Sequence, residues 1–224
     1  MIYAIGDSHS SVFAGSDNHI QPQYDHCYIL RNNIFTPLVR SYSEFKIKDE
    51  NFISIRTGAN TAYNMLNKTD LVDSILIDYK VSKTDDRILF CYGEIDTRVH
   101  IGKQEDVRQV STEIIIEDLV NRYMEFLLIY ASKGYQVMAW GVPPSGYGNH
   151  NAHPRYYGVA ERNILSRQIN EALLEACSDN GIPFISIWHE IVDSENYSDY
   201  FQDPIHLKYS SCKPFIYAKM GGLL

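Results

Sequence analysis

The sequence predicts an α/β sandwich built on a parallel sheet, on three observations. Short apolar runs rich in β-branched and aromatic residues alternate with longer amphipathic stretches. The short runs are near-continuously apolar, the pattern of strands buried on both faces. Strand and helix patterns follow one another along the chain, the order of parallel strands joined by crossover helices.

The strand runs are residues 2–5, 52–55, 87–92, 136–140 and 183–187. Helical patterns cover 61–66, 70–79, 111–133, 160–178 and 209–220. In the third of these, Ile114, Ile115, Leu119, Val120, Tyr123, Phe126, Leu127 and Tyr130 recur at three- and four-residue spacing. Glu113, Glu117 and Asp118 suit its positive start, and Gly134 is placed to cap its end. In the fourth, Ile164, Leu165, Ile169, Leu173, Leu174 and Cys177 repeat the pattern up to Asn180-Gly181. The last is predicted helical although it contains Pro214. Stretches 14–42, 94–110 and 143–157 fit no element and are expected to be long loops, which in open α/β sheets build the site at the carboxyl ends of the strands. There is no internal repeat and no linker, so 1–224 is expected to form one domain.

Composition narrows the function classes. A formal charge of −8 with no concentrated basic run argues against a nucleic-acid or anionic-membrane partner. The first residues form a short apolar run without a basic flank, interrupted by Asp7, unlike a secretory signal. No window approaches the roughly 20 apolar residues of a membrane helix. A cytoplasmic location is the expectation. Cys27, Cys91, Cys177 and Cys212 are scattered and make no CxxC pair, so neither zinc nor a disulfide framework is indicated; Cys91 and Cys177 read as core. His19, His26, His150 and His153, like His9 and His100, make no HxH or HxxxH pair beside carboxylates on a predicted element, and no metal is expected.

Two short segments carry chemistry. The first strand runs into Gly6-Asp7-Ser8-His9-Ser10, which places a serine at the carboxyl edge of the sheet. Two readings stand: Asp7 or Ser8 caps a helix, or Ser8 is a nucleophile facing backbone N–H groups. Near the other end, Asp203-Pro204-Ile205-His206 sets a carboxylate three residues before an imidazole. On a turn both can share a face, so that the carboxylate fixes the ring's tautomer and stabilises the imidazolium. A surface Asp–His pair is the alternative.

Together, GDSHS and DPIH resemble the first and last motif blocks of the SGNH (GDSL-like) hydrolase superfamily. Arg56-Thr57-Gly58-Ala59-Asn60-Thr61 after the second strand resembles its second block, where a glycine N–H joins the oxyanion hole. The third block, G-x-N-D, departs from the pattern: here it is Gly93-Glu94-Ile95-Asp96, and Ile95 stands where the asparagine donor belongs. The resemblance implies a three-layer α/β/α sandwich with a five-stranded parallel sheet, flavodoxin-like in architecture. It implies a triad of Ser8, His206 and Asp203, an oxyanion hole of Ser8 and Gly58 N–H groups, and no cofactor. With Ile95 in the asparagine's place, Asn60, Arg98 and His100 are the nearest candidates in sequence for a substitute donor, and Asn60 is taken into the hole.

The run Gly93–His100 is unusually polar for a strand end. Glu94, Asp96, Arg98 and His100 read as a substrate-binding strip or as an internal ion-pair network of Asp96 with Arg98 or Arg56. Asp7 and His9, flanking the serine, join them as candidate substrate contacts. Gly141-Val142-Pro143-Pro144 is either a wall of the site or a loop stiffened by proline. Tyr147, Tyr156 and Tyr157 could stack on a sugar or simply fill surface. The functional expectation is a serine esterase that removes a short acyl group, acetyl by preference, from a small molecule or carbohydrate. The same triad would serve an acyltransferase acting on a sugar hydroxyl, and Ile95 would permit a non-catalytic binding module. The sequence sets no oligomeric state.

Overall fold

The computed structural model describes residues 1–17, 26–31, 34–39, 42–44, 49–147 and 155–224, with side chains throughout except in 26–31, 34–39 and at 43. In chain order the strands are β1 (Ile2–Gly6), β2 (His26–Arg31), β3 (Ile34–Val39), β4 (Ser43–Glu44), β5 (Phe52–Arg56), β6 (Arg87–Cys91), β7 (Gln136–Trp140) and β8 (Phe184–Ile185). The helices are α1 (Thr69–Asp78), α2 (Ile101–Arg108), α3 (Thr112–Ser132), α4 (Val159–Asp179), α5 (Trp188–Val192) and α6 (Tyr209–Met220). Short 3₁₀ helices cover Ser8–Phe13, Ala62–Lys68 and Tyr197–Tyr200.

The main sheet has the order β4-β5-β1-β6-β7-β8. Five strands, β5-β1-β6-β7-β8, run parallel, and β4 adds a two-residue antiparallel edge. These five coincide with the five apolar runs. In chain order the parallel strands lie 2-1-3-4-5, the flavodoxin-like order, in which connections leave β1 and β6 toward opposite sides. The crevice at the carboxyl ends of β1 and β6 is therefore where a ligand would bind.

The period of two along each strand divides the core. Tyr3, Ile5, Ile55, Ile88, Phe90, Val137 and Ala139 point to one face and pack with the buried residues of α1, α3 and α4. Ile2, Ala4, Phe52, Leu89, Cys91, Met138, Trp140 and Ile185 point to the other, against Val12, Phe13, α5 and α6. Both faces are covered, which makes the three layers. Cys177 belongs to the first cluster and Cys91 to the second. On α3 the predicted stripe is buried except for Ile114, and on α4 Ile164 and Leu174 turn to solvent. α3 ends as predicted, with Gly134 at φ +88° behind it. α6 accommodates Pro214 within its length.

Two of the expected loops contain regular structure. Within 14–42, β2 and β3 form an antiparallel hairpin apart from the main sheet. Pro37 lies in β3 opposite Tyr28, and a missing N–H is tolerable there because, among the described residues, β3 pairs on one side only. Within 94–110, a π-helical turn at Asp96–His100 runs into α2. That helix buries only Ile101 and Gly102, so its sequence carries no apolar stripe to announce it. Of 143–157, residues 143–147 and 155–157 are irregular as expected, and 148–154 lie outside the described residues.

Gly6 shows how tightly β1 and β6 meet below the crevice. A Cβ at this position would lie 2.2 Å from the Cys91 carbonyl oxygen, a backbone atom held by the sheet. Gly6→Ala is therefore expected to cost about 3 kcal/mol, the upper end for overpacking, read as a lowered urea midpoint at unchanged slope. A midpoint equal to that of the unmodified protein would refute the close approach.

Candidate active site

The crevice at the end of β1 is built by Asp7 first. Its backbone is extended, its N–H donates to the Cys91 carbonyl (3.2 Å), and its Oδ1 accepts from the His9 N–H (2.8 Å). Asp7 thus caps the Ser8–Phe13 helix, and Ser8 is left to present its hydroxyl from the first helical position. The capping task falls to Asp7, which leaves the Ser8 hydroxyl available. The Ser10 hydroxyl donates to the Asp7 carbonyl (3.0 Å), and the Ser54 hydroxyl of β5 donates to the Ser10 carbonyl (2.6 Å), so the segment is fixed from both sides.

The C-terminal segment closes over it. Phe201 and Leu207 form a β-bridge, and the Gln202 N–H donates to the His206 carbonyl (3.0 Å). Within that tight loop Asp203 Oδ1 accepts the Ile205 and His206 N–H groups, both at 2.8 Å. The other carboxylate oxygen faces the ring: Asp203 Oδ2 lies 2.7 Å from His206 Nδ1. His206 Nε2 lies 2.9 Å from Ser8 Oγ. Burial opposes ionisation of Asp203, but the His206 ring and the two backbone donors outweigh it and hold the carboxyl well below the usual range. For His206 burial comes first and outweighs the Asp203 contact, so the ring titrates below an ordinary histidine. A neutral imidazole at neutral pH, its Nδ1–H held by a carboxylate and its Nε2 facing a hydroxyl, can accept that hydroxyl's proton.

The Gly58 loop lies beside the same strand end. Thr57 donates both its N–H (2.7 Å) and its hydroxyl (2.9 Å) to the Gly6 carbonyl, and its Oγ1 is also 2.9 Å from the Tyr92 hydroxyl. Gly58 takes φ +80°, which favours glycine, and its carbonyl accepts from the Asn60 N–H at 3.0 Å. The Asn60 side-chain amide donates to the Thr57 carbonyl (2.6 Å), inside its own loop.

The polar strip after β6 divides. Glu94 and Arg98 belong to the crevice: Glu94 Oε1 accepts from Arg98 Nε at 2.7 Å, and Glu94 Oε2 lies 3.6 Å from His9 Nε2, an ion-pair separation rather than a hydrogen bond. Burial opposes its charge, yet His9 and Arg98 outweigh burial and lower the Glu94 carboxyl to about 2. Asp7, fully buried, is pushed up to about 6 by burial, which the His9 charge only partly offsets. Asp96 turns away. It accepts the Ala62 (2.7 Å) and Tyr63 (3.3 Å) N–H groups and caps the 3₁₀ helix that follows the Gly58 loop, while burial pushes its carboxyl up to about 7. Its ion pair with Arg98 or Arg56 is replaced by this capping role, and Arg98 pairs with Glu94 instead. His100 packs on the Tyr63 ring (centroids 4.5 Å apart), and burial lowers its pKa.

The opposite wall is the segment after β7. Asn170 of α4 holds both the N–H (2.7 Å) and the carbonyl (2.9 Å) of Val142, and Asn163 Oδ1 accepts the Ser145 N–H (2.7 Å). Gly146 approaches the Pro204 carbonyl so closely that a Cβ would lie 2.2 Å from its oxygen, which braces the loop bearing His206. The sequence reading missed these two asparagines, since a buried polar residue in a helix announces no partner. Of the tyrosines, Tyr147 and Tyr156 are exposed, and the Tyr157 hydroxyl donates to Glu105. His19, His150 and His153 lie outside the described residues, and His26 is described by its backbone alone. Among the described residues no group of three or more His, Cys, Asp or Glu side chains is placed to hold a metal ion, and no helix is long and apolar enough to cross a membrane.

No family model matches the chain, and no curated protein matches it in sequence. Solved structures do. A member of the lipolytic G-D-S-L family from Veillonella parvula superimposes with a TM-score of 0.54 at 13% identity, covering 100% of this chain and 97% of that one. The lipase/acylhydrolase of Enterococcus faecalis does so with a TM-score of 0.53 at 13% identity, over 99% and 95%. A catalytic mutant of Axe2, an acetylxylan esterase from Geobacillus stearothermophilus, gives a TM-score of 0.52 at 10% identity, over 98% and 92%. The chain has the SGNH-hydrolase fold. Within it, Ile95 stands half-buried at the start of the π-helical turn, where the G-x-N-D pattern has its asparagine, and it brings a hydrocarbon side chain in place of an amide.

Proposed function

We propose that this protein is a serine esterase that hydrolyses a short-chain O-acyl ester, an O-acetyl group on a carbohydrate being the preferred substrate, with Ser8, His206 and Asp203 as its triad. The observation that carries this reading is the unbroken chain of contacts from Asp203 Oδ2 through His206 to Ser8 Oγ, 2.7 and 2.9 Å, at the switch point of the sheet. The fold shared with esterases and acylhydrolases supports it.

In the proposed reaction Ser8 Oγ attacks the ester carbonyl as its proton passes to His206 Nε2, and Asp203 stabilises the imidazolium. The Ser8 and Gly58 N–H groups hold the tetrahedral oxyanion. Collapse expels the alcohol, which takes the proton from His206 and leaves acyl-Ser8. Water, deprotonated by His206, then adds to the acyl carbon, and Ser8 departs with the proton, releasing the acid. The step needs no metal or cofactor. With Ile95 in place of an amide, Asn60 is the side chain that could add a third donor, if its amide leaves Thr57. The Arg98 guanidinium, tied to Glu94, serves the substrate side of the crevice.

Substrate size follows from the polarity beside the triad, where the ionisable residues His9, Glu94 and Arg98 are linked to one another. Acetyl esters of 4-nitrophenol are expected to turn over about tenfold faster in kcat/KM than octanoyl esters, since a long apolar chain gains little beside buried ionisable groups. Faster octanoyl turnover would overturn the short-chain assignment, and hydrolysis of no ester in the series would overturn the esterase.

A further inference from the structure

The residue after the serine is a second imidazole, and the triad does not account for it. His9 is 3% exposed, and its ring packs against that of His206 with centroids 5.2 Å apart and planes inclined by 34°. Among the described residues neither ring nitrogen of His9 has a hydrogen-bond partner. Glu94 Oε2 lies 3.6 Å from Nε2, and Glu94 is in turn gripped by Arg98 Nε at 2.7 Å. A row of ionisable groups therefore runs Arg98, Glu94, His9, His206 and ends at the hydroxyl of Ser8. An imidazole that only filled space in this position would be a costly choice, since an apolar ring would pack there without buried polar nitrogens.

We propose that His9 is a positioning residue of this site: held as an imidazolium by Glu94 and packed on His206, it keeps the His206 ring neutral and able to accept the Ser8 proton. The inference rests on the triad reading above. Its logic is electrostatic. Asp203 favours the protonated form of His206, and a triad histidine that is too basic is already protonated when it should act as a base. A positive charge packed on the ring opposes that tendency.

The surroundings of the two rings are arranged to split them. Burial disfavours a charge on His9, but Glu94 and Asp7 outweigh it, with Arg98 opposing, and the ring titrates above an ordinary histidine. At His206 burial acts in the same sense as the His9 charge, against Asp203 and Glu94, and the ring titrates below one. Neighbouring groups pushed apart in this way are the pattern of an assigned base beside an assigned cation. Among the described residues, the other elements packed on the Ser8–Phe13 helix meet it through uncharged groups: β5 through Ser54 and the Ile55 carbonyl, and α6 through the apolar cluster of Cys212, Ile216, Val12 and Phe13.

The test uses His9→Phe, which keeps a ring and removes the charge, and His9→Gln, which keeps polarity, so that the answer does not depend on one variant folding. A base must be neutral to act, so activity falls as pH drops through the His206 pKa; loss of a neighbouring cation raises that pKa. The acid limb of kcat/KM for 4-nitrophenyl acetate is expected to move to higher pH by about one unit in both variants. The same displacement is expected in the NMR titration of the His206 ring in Ser8→Ala protein with and without His9→Phe or His9→Gln. An acid limb and a His206 titration that stay in place, or move to lower pH, overturn the proposal, even if turnover falls at every pH as it would for a merely structural residue. If the His206 titration moves as expected while the unmodified protein hydrolyses no ester, the tuning by His9 stands and the esterase reading fails.

Discussion

Ser8→Ala is expected to remove essentially all hydrolysis of 4-nitrophenyl acetate, lowering kcat by about 10⁶, the loss seen when a serine hydrolase loses its nucleophile. The expectation follows from geometry rather than from the motif alone. Ser8 meets His206 through its Oγ, and the backbone of the segment is fixed by the Asp7 cap and the Ser10–Ser54 bonds. The substitution should therefore empty the position without moving the frame, and the urea midpoint should change little. The unmodified protein should also be labelled once by an organophosphonate, with the modified peptide containing Ser8. An alanine variant that hydrolyses the ester at the original rate would end the triad assignment.

Asp203→Asn is expected to lower kcat by about 10⁴ while leaving the loop folded. The amide oxygen can still accept the Ile205 and His206 N–H groups that Oδ1 now accepts. That choice points the amide NH₂ at His206 Nδ1. The ring must then accept there, so its own proton sits on Nε2 and is donated toward Ser8 Oγ. The variant would keep every contact in the site and hold the imidazole in the tautomer that cannot take the serine's proton. A rate within tenfold of the unmodified protein would show that Asp203 does not set the tautomer.

The parallel strands were legible because burial on both faces leaves a short, near-continuous apolar run; residues 87–92 and 136–140 are the clearest examples. The β2–β3 hairpin and α2 were not legible, for opposite reasons. Pro37 argues against a strand unless one knows that β3 has an unpaired side, and Ile101–Arg108 is nearly polar throughout because it buries so little. At the site, a spacing of three residues between Asp203 and His206 can be read directly as a local contact. Their meeting with Ser8 cannot, and only resemblance joined them in the sequence. The roles of Glu94, Arg98 and Asp96 needed coordinates: all three are charged residues of one short run, yet two face the crevice and one caps a helix on the far side of the Gly58 loop. Asn163 and Asn170 left no trace in the sequence, since their partners are backbone groups of a distant segment.

The contact between Ser8 and His206 joins residues 198 positions apart. During translation, the serine and the strand that carries it leave the ribosome first, while the imidazole that faces it has yet to be made. At about 5–20 residues per second, roughly 10–40 seconds separate the two. In that interval β1 can pair with β5 and β6 and the first half of the core can close, but the hydroxyl has no base beside it. On the proposed triad, a nascent chain is chemically silent until the His206 segment arrives, and the reactivity of Ser8 toward a phosphonate becomes a clock that reads the arrival of that segment rather than the folding of the centre.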